Sequence, residues 1–236
     1  MRKQSSITVD RKNLLTALRL VKHAVAREKS RPVLSGINIY SKKDGTIDIS
    51  GADGFRLAIY NLPAIIRGEF VSVFPLSLLS KLKGMKEEKI TIVTVASQGR
   101  ARINGEEIEV ISDQRLRYIE LVPKGFAHKA TFAVKDLKTS LEEIKPIAKE
   151  SSGAVGLETT EGNTLKILAG FEDERIIREI PAQVENPGKI AIHWRNLRDT
   201  LNTGVNIINF NGPADVCVFT GIIGFIEVVM PMFIEW

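Results

Sequence analysis

The order of apolar residues in the first half of this chain returns in the second half, and that repeat limits the folds open to it. Leu14 and Leu18 are matched 123 positions on by Leu137 and Leu141, Gly45 by Gly162 117 positions on, and Ile108 by Ile226 118 positions on. Each half runs from a helix-spaced stripe through alternating strands to a second helix and a last group of strands. A repeat this long exceeds a solenoid unit, so each copy should carry its own core. The expected fold is α+β: two repeated domains, 1–125 and 126–236, joined around residues 124–130, each with two helices packed on a β-sheet.

Along the first half, the polar start is expected to pass straight into a helix, with Asp10 as its cap. Leu14, Leu15, Leu18 and Val21 make its apolar stripe, while Lys12, Thr16, Arg19 and His23 lie on the far side and Lys22 on the flank. That outer face carries no acid. Residues 36–40 and 46–50 alternate at period two across a Lys42-Lys43-Asp44-Gly45 turn, which predicts a hairpin. Strands are expected at 55–60 and 69–73. Pro75 then opens a helix with Leu78, Leu79 and Leu82 inward and Lys81, Lys83 and Lys86 to the sides. Strands at 89–95, 98–103 and 107–112 follow, with turns at Ser97 and Asn104-Gly105. In the second half a helix starts at Val134, with Leu137, Leu141 and Ile144 inward and its end disturbed by Pro146. The Glu161-Gly162-Asn163 turn answers the Asp44-Gly45 one. A fourth helix places Trp194, Leu197 and Leu201 inward, Arg195 and Arg198 outward.

Catalytic signals are weak. His23, His128 and His193 have no metal-like spacing with Cys217 or with acids, so neither a metal nor a cofactor is expected. Glu106-Glu107, Glu142-Glu143 and Asp173-Glu174 are adjacent in sequence, and neighbours on a strand or helix diverge. Neither a phosphate loop nor a nucleophile elbow is present. The expectation is a protein without its own catalytic site. One cysteine cannot form an internal disulfide, and residues 1–6 carry no apolar signal core. The most apolar stretch, 216–230, is broken by Thr220, Gly221, Gly224 and Glu227, which reads as a hairpin and not a membrane span. A cytoplasmic location follows.

The net charge of +5 permits a nucleic-acid partner without requiring one. Distribution is more telling. Lys12, Arg19, Lys22, Lys81, Lys83, Lys138, Lys145, Arg195 and Arg198 fall outside the apolar stripes of four helices, as residues that neutralise duplex phosphates would. No aromatic residue interleaves them, so stacking of single-stranded bases is not indicated. Glu142 and Glu143 weaken the signal on the third helix.

Three further stretches are specific: Arg31-Pro32-Val33-Leu34-Ser35-Gly36, Asp53-Gly54-Phe55-Arg56-Leu57-Ala58 and the terminal Val228-Val229-Met230-Pro231-Met232. A tail this apolar should be docked on the fold, because exposed Val, Met, Phe and Trp invite association. In order and spacing these stretches resemble the bacterial sliding clamp family, the beta subunit of DNA polymerase III, along nearly the whole chain. The resemblance implies domains that line up into a ring with helices facing the hole. It also implies a cleft that captures short peptides of polymerases and clamp loaders.

Carried over residue by residue, the resemblance assigns the cleft to Leu34, Ala52, Gly54, Phe55, Arg56, Leu57, Leu116, Leu121, Asn196, Val228, Val229, Met230, Pro231 and Met232, as an apolar groove between the two domains. Taken singly, Leu34, Leu57 and Val228 are equally consistent with ordinary core. Ala52 stands where the family often has Thr, Phe55 where it often has His, and Glu120 where it often has Arg. Phe233-Ile234-Glu235-Trp236 replaces a shorter, usually basic tail. A related but different partner motif is therefore expected. The family carries three repeats and closes as a dimer. Two repeats resembling the second and third imply a homo-oligomer, a trimer if a ring closes around duplex DNA. The alternative is a clamp-like protein that never closes and binds or sequesters clamp-binding peptides.

Overall fold

The computed structural model describes residues 4–28, 30–95, 99–170 and 175–234. The expected turn at Ser97, the strand start at Gln98, the Asp173-Glu174 pair and the final Glu235 and Trp236 lie outside these residues. The chain divides into two compact units, Met1–Tyr118 and Ile119–Trp236.

The first unit opens with strand β1 (Gln4–Asp10), not directly with a helix. Ile7 and Val9 alternate inward and are buried. The polar Gln-Ser-Ser start hid the alternation, since only two of seven residues are apolar. Helix α1 (Arg11–Val21) follows, and the Asp10 carboxylate accepts from the Asn13 N–H at 2.9 Å. Leu14, Leu15, Ala17, Leu18 and Val21 are buried, as the stripe predicts. Strands β2 (Ile37–Ser41), β3 (Thr46–Ala52) and β4 (Arg56–Pro63) come next, then β5 (Ile65–Arg67) and β6 (Val71–Phe74). Helix α2 (Ser77–Gly84) buries Leu78, Leu79 and Leu82. Strands β7 (Lys89–Val95), β8 (Arg100–Ile103) and β9 (Glu106–Glu109) complete the unit. One sheet runs β5-β1-β7-β8-β9, and β4, β3, β2 and β6 pair in that order. Asn104 and Gly105 have φ of 47° and 94°, so β8 and β9 are joined by the left-handed two-residue turn that strand twist favours.

The second unit repeats this order with β10 (His128–Phe132), α3 (Val134–Glu150), β11 (Ala154–Thr159), β12 (Thr164–Ala169), β13 (Ile176–Glu185), β14 (Gly188–His193), α4 (Trp194–Leu201), β15 (Ile207–Phe210), β16 (Cys217–Ile222) and β17 (Phe225–Val229). Its strands pair as β14-β11-β12-β13-β10-β15-β16-β17. Here β13 does the work of β4 and β5 together. Residues 176–181 pair with β12 and residues 182–185 with β10, whereas the first unit breaks the equivalent strand at Ala64, after Pro63. Pro146 does not end α3, which runs on to Glu150. Proline removes the bond to the carbonyl of residue 142, and both Pro146 and Glu142 are exposed, so water can replace it.

The repeat extends to the way each unit covers an outer strand. After β9, Ile111 and Ser112 return to Val73 of β6, through bonds of 2.8 and 2.7 Å. After β17 the tail returns likewise, and the Met232 N–H donates to the Ala191 carbonyl of β14 at 2.8 Å.

A buried polar network lies under β2 and β3. The Asp48 carboxylate accepts from the hydroxyls of Tyr40 and Tyr118 at 2.8 and 2.9 Å and from the Asn61 amide at 2.6 Å. The two hydroxyls also bond each other, and the Arg115 guanidinium lies 4.1 Å from the Tyr40 ring centre. Burial, with the negative Asp48 beside them, raises the pKa of both phenols above the ordinary tyrosine value.

Candidate functional site

In the first unit Lys12, Arg19 and Lys22 are exposed on or just after α1. Arg11 instead turns to α2. Its Nε donates to the Leu82 carbonyl at 3.0 Å and its Nη2 to that of Lys83 at 3.2 Å, which satisfies last-turn carbonyls that the helix leaves unbonded. The two helices are thereby locked side by side. On α2, Lys83 is exposed, but Lys81 is half-buried and paired with Glu106 at 2.7 Å.

In the second unit α3 packs on α4, and the cations there are organised by an aromatic ring. Lys145, Lys149, Arg195 and Arg198 lie 5.7, 5.2, 5.3 and 5.3 Å from the centre of the Trp194 ring. An aromatic residue therefore does stand among the charges, contrary to the sequence expectation. At 5% exposure it offers no face on which a base could stack; it serves the cations, each contact contributing about 0.5–2 kcal/mol. Lys149 is a member that sequence reasoning missed, although it follows Lys145 by one helical turn. Lys145 is also paired with Glu142 and Arg198 with Asp199 at 2.7 Å, so Arg195 and Lys149 are the more exposed cations of the group. Lys138 is half-buried, and Glu143 is bridged to Arg178 at 2.5 Å.

The expected peptide-binding residues divide into supporting and presented groups. In the first unit the Asp53 carboxylate accepts from the backbone N–H groups of Phe55 and Arg56 at 2.9 and 2.8 Å, and Gly54 takes the positive φ, 93°, that this turn requires. The Arg56 guanidinium is engaged within the chain. Its Nη2 and Nε grip Asp53 at 3.0 and 3.1 Å, and Nη2 also reaches the His23 carbonyl at 3.0 Å. The turn is thus fastened to the end of α1, and Phe55 is held out at 66% exposure. Leu34 is brought alongside because the Ala26 N–H donates both to its carbonyl and to that of Ala52, at 3.0 and 3.1 Å. Leu34 and Leu116 are half-buried, while Ala52 and Leu57 belong to the core at 7% and 5% exposure.

In the second unit Val228 and Val229 are also core, each in register within the β16–β17 pair. Met230 leaves the strand at 47% exposure, Pro231 and Met232 are half-buried, and Phe233 stands out at 92%. The tail is docked at Met232. Leu121, in the 3-10 turn Ile119–Leu121, is exposed, and Asn196 is half-buried on α4. Cys217 is buried with its thiol pKa raised by desolvation. His193 caps α4 by accepting from the Arg195 N–H at 3.2 Å, and His128 lies against Phe210 with ring centres 5.0 Å apart. Among the described residues no group of three or more His, Cys, Asp or Glu is placed to hold a metal ion. No helix among them is long and apolar enough to cross a membrane.

Residues 8–116 match the family model for the DNA polymerase III beta subunit, central domain. That stretch is similar to the central domain of bacterial sliding clamps. The chain is 26% identical to the beta sliding clamp of Synechocystis, over 75% of this chain and 51% of that protein, and 25% identical to the beta sliding clamp of Synechococcus elongatus, over 84% and 56%. Among solved structures it resembles the DNA polymerase III beta subunit of Thermotoga maritima, with a TM-score of 0.86 at 23% identity, covering 98% of this chain and 66% of that one. The beta subunit from Pseudomonas aeruginosa matches with a TM-score of 0.84 at 20% identity, over 97% and 66%. The sliding-clamp fold is thus shared, and the chain spans about half the length of the curated relatives it matches.

Proposed function

We propose that this protein is a DNA sliding clamp, a processivity factor without its own catalytic site that encircles duplex DNA and tethers polymerase and clamp-loader peptides. Its two clamp-type domains, 1–125 and 126–236, would supply six repeats to a ring as a trimer. The observation that carries this reading is the match of residues 8–116 to the family model for the central domain of the DNA polymerase III beta subunit. The basic helix faces fit the role, because phosphate contacts carry no sequence information and let a protein slide. Lys12, Arg19, Lys22, Lys83, Lys149 and Arg195 are exposed cations available for it. Partner peptides would be held by presented apolar residues, among them Leu34, Phe55, Leu121, Met230, Pro231 and Met232, with Leu57 supporting the first set within its unit and Val228 and Val229 the last within theirs.

The test uses a clamp-binding peptide and duplex DNA. Phe55→Ala with Met232→Ala should weaken the peptide by about 2 kcal/mol, as truncated hot spots do. Arg19→Glu with Arg195→Glu should lower duplex affinity and flatten its salt dependence. Retention on circular but not linear DNA would support encirclement. Peptide binding by a chain that is never retained on circles would favour the clamp-like protein that does not close. An unchanged peptide affinity in the folded double variant sinks the peptide assignment.

A further inference from the structure

We propose that the first unit carries a second binding site, a polar pocket at the tip of the β2–β3 hairpin that takes a small sugar phosphate. None of the residues assigned above to duplex DNA or to partner peptides lines it, so the site goes beyond the clamp reading.

Three separate stretches of chain form the pocket: residues 41–44 of the hairpin, then Ile66, Gly68 and Glu69 on the way from β5 to β6, and Arg115 in the segment after β9. The first two are fastened together. The Ser41 N–H donates to the Phe70 carbonyl at 2.8 Å, the Ser41 hydroxyl accepts from the Phe70 N–H at 2.9 Å, and the Ala64 N–H donates to the Gly45 carbonyl at 3.1 Å. The third is placed by the buried network, since the Arg115 guanidinium lies 4.1 Å from the centre of the Tyr40 ring and the Tyr40 hydroxyl is bonded to Asp48 and Tyr118. The cavity between these stretches, open to solvent on one side, measures about 720 Å³, a size that suits a small molecule.

Charge in the wall is mixed, and that narrows the ligand. Lys42 is already engaged, with its Nζ 3.7 Å from Asp44 and 3.8 Å from Asp48. Lys43 and Arg115 are exposed and carry no ion pair among the described residues. Two such cations on one cavity suit a dianionic phosphate group better than a single carboxylate, because each can give it a charge-assisted hydrogen bond. Asp44 and Glu69 line the same cavity. The Asp44 carboxylate accepts from the Thr46 hydroxyl and N–H at 2.6 and 3.0 Å, which holds its pKa below the ordinary carboxylate value and keeps it charged. Ionised carboxylates only accept hydrogen bonds, so this part of the wall repels a run of backbone phosphates and receives the hydroxyls of a sugar. Ile66 adds an apolar surface for the carbon face of the ring. A single phosphate ester with neighbouring hydroxyls satisfies every part of the wall; a polyanion or an apolar ligand does not.

The test is isothermal titration calorimetry of the full chain with ribose 5-phosphate, inorganic phosphate and ribose. Ribose 5-phosphate should bind more tightly than either of the others, since only it meets both the cations and the carboxylates. Lys43→Ala with Arg115→Ala should weaken ribose 5-phosphate about tenfold or more. Glu69→Ala should weaken it too, while the affinity for inorganic phosphate stays level or rises. Arg19→Glu with Arg195→Glu, on the basic helix faces, should leave it unchanged. If Arg115→Ala unsettles the fold, Lys43→Glu alone replaces the double variant. No detectable binding of ribose 5-phosphate, an affinity unmoved in the folded variants, or a ribose affinity equal to that of ribose 5-phosphate would each overturn the site. Displacement of ribose 5-phosphate by a short DNA duplex, lost in Lys43→Glu, would overturn it as well, by assigning the pocket to nucleic-acid phosphates.

Discussion

Replacing Arg56 by Ala is expected to destabilise the first unit by about 2–4 kcal/mol, because the guanidinium is a structural clasp. The contacts that disappear include two to the Asp53 carboxylate, at 3.0 and 3.1 Å, and one to the His23 carbonyl, at 3.0 Å. A hydrogen bond to a charged group contributes about 1.5–3 kcal/mol and a neutral one about 1 kcal/mol. A buried ion pair stripped of one partner loses about 3–5 kcal/mol and an exposed one about 0–1 kcal/mol. Side-chain exposures of 10% for Arg56 and 19% for Asp53 put this pair near the buried limit. Asp53 keeps the Phe55 and Arg56 N–H donors, which trims the loss. Urea unfolding followed by circular dichroism would measure it. A double-mutant cycle with Asp53→Asn should return a coupling of about 1–3 kcal/mol. A stability within about 0.5 kcal/mol of the parent would refute the clasp. If peptide affinity fell while stability held, Arg56 would instead be a direct contact.

Two neighbours of Arg56 should behave oppositely. Leu57→Ala should cost about 2–5 kcal/mol of stability because it opens a cavity in the core, whereas Phe55→Ala should change stability by less than about 0.5 kcal/mol and act on peptide binding; thermal melts of both variants decide. Alkaline titration should expose the Tyr40–Tyr118–Asp48 network. Their folded pKa values lie above the unfolded ones, so the unfolded chain releases protons first, and stability should fall as pH rises beyond about 10, by up to about 1.4 kcal/mol per pH unit for each tyrosine. Tyrosinate absorbance that develops fully while the chain is still folded would contradict this.

The helices and most strands were legible because they are written in local periodicity: Leu14, Leu18, Leu78 and Leu82 at helical spacing, and residues 36–50 in alternation around a turn. Where periodicity was diluted, legibility failed. Gln4–Asp10 is a strand whose neighbour β7 supplies the pairing that its polar start does not announce. The end of α3 was misjudged because the consequence of Pro146 depends on whether the freed carbonyl can reach water. The motif 53–58 named a surface without distinguishing presented side chains from supporting ones.

By itself, the sequence determined the repeat, the α+β class and the presence of basic and apolar candidate surfaces, because spacing, charge sign and residue type are properties of the chain alone. Only the tertiary structure decided which residues carry them. Arg56 became a clasp because the end of α1 brought the His23 carbonyl within 3.0 Å. Lys145, Lys149, Arg195 and Arg198 became one cluster because two helices met over Trp194. In each case the deciding partner lies far along the chain, where local pattern carries no information about it.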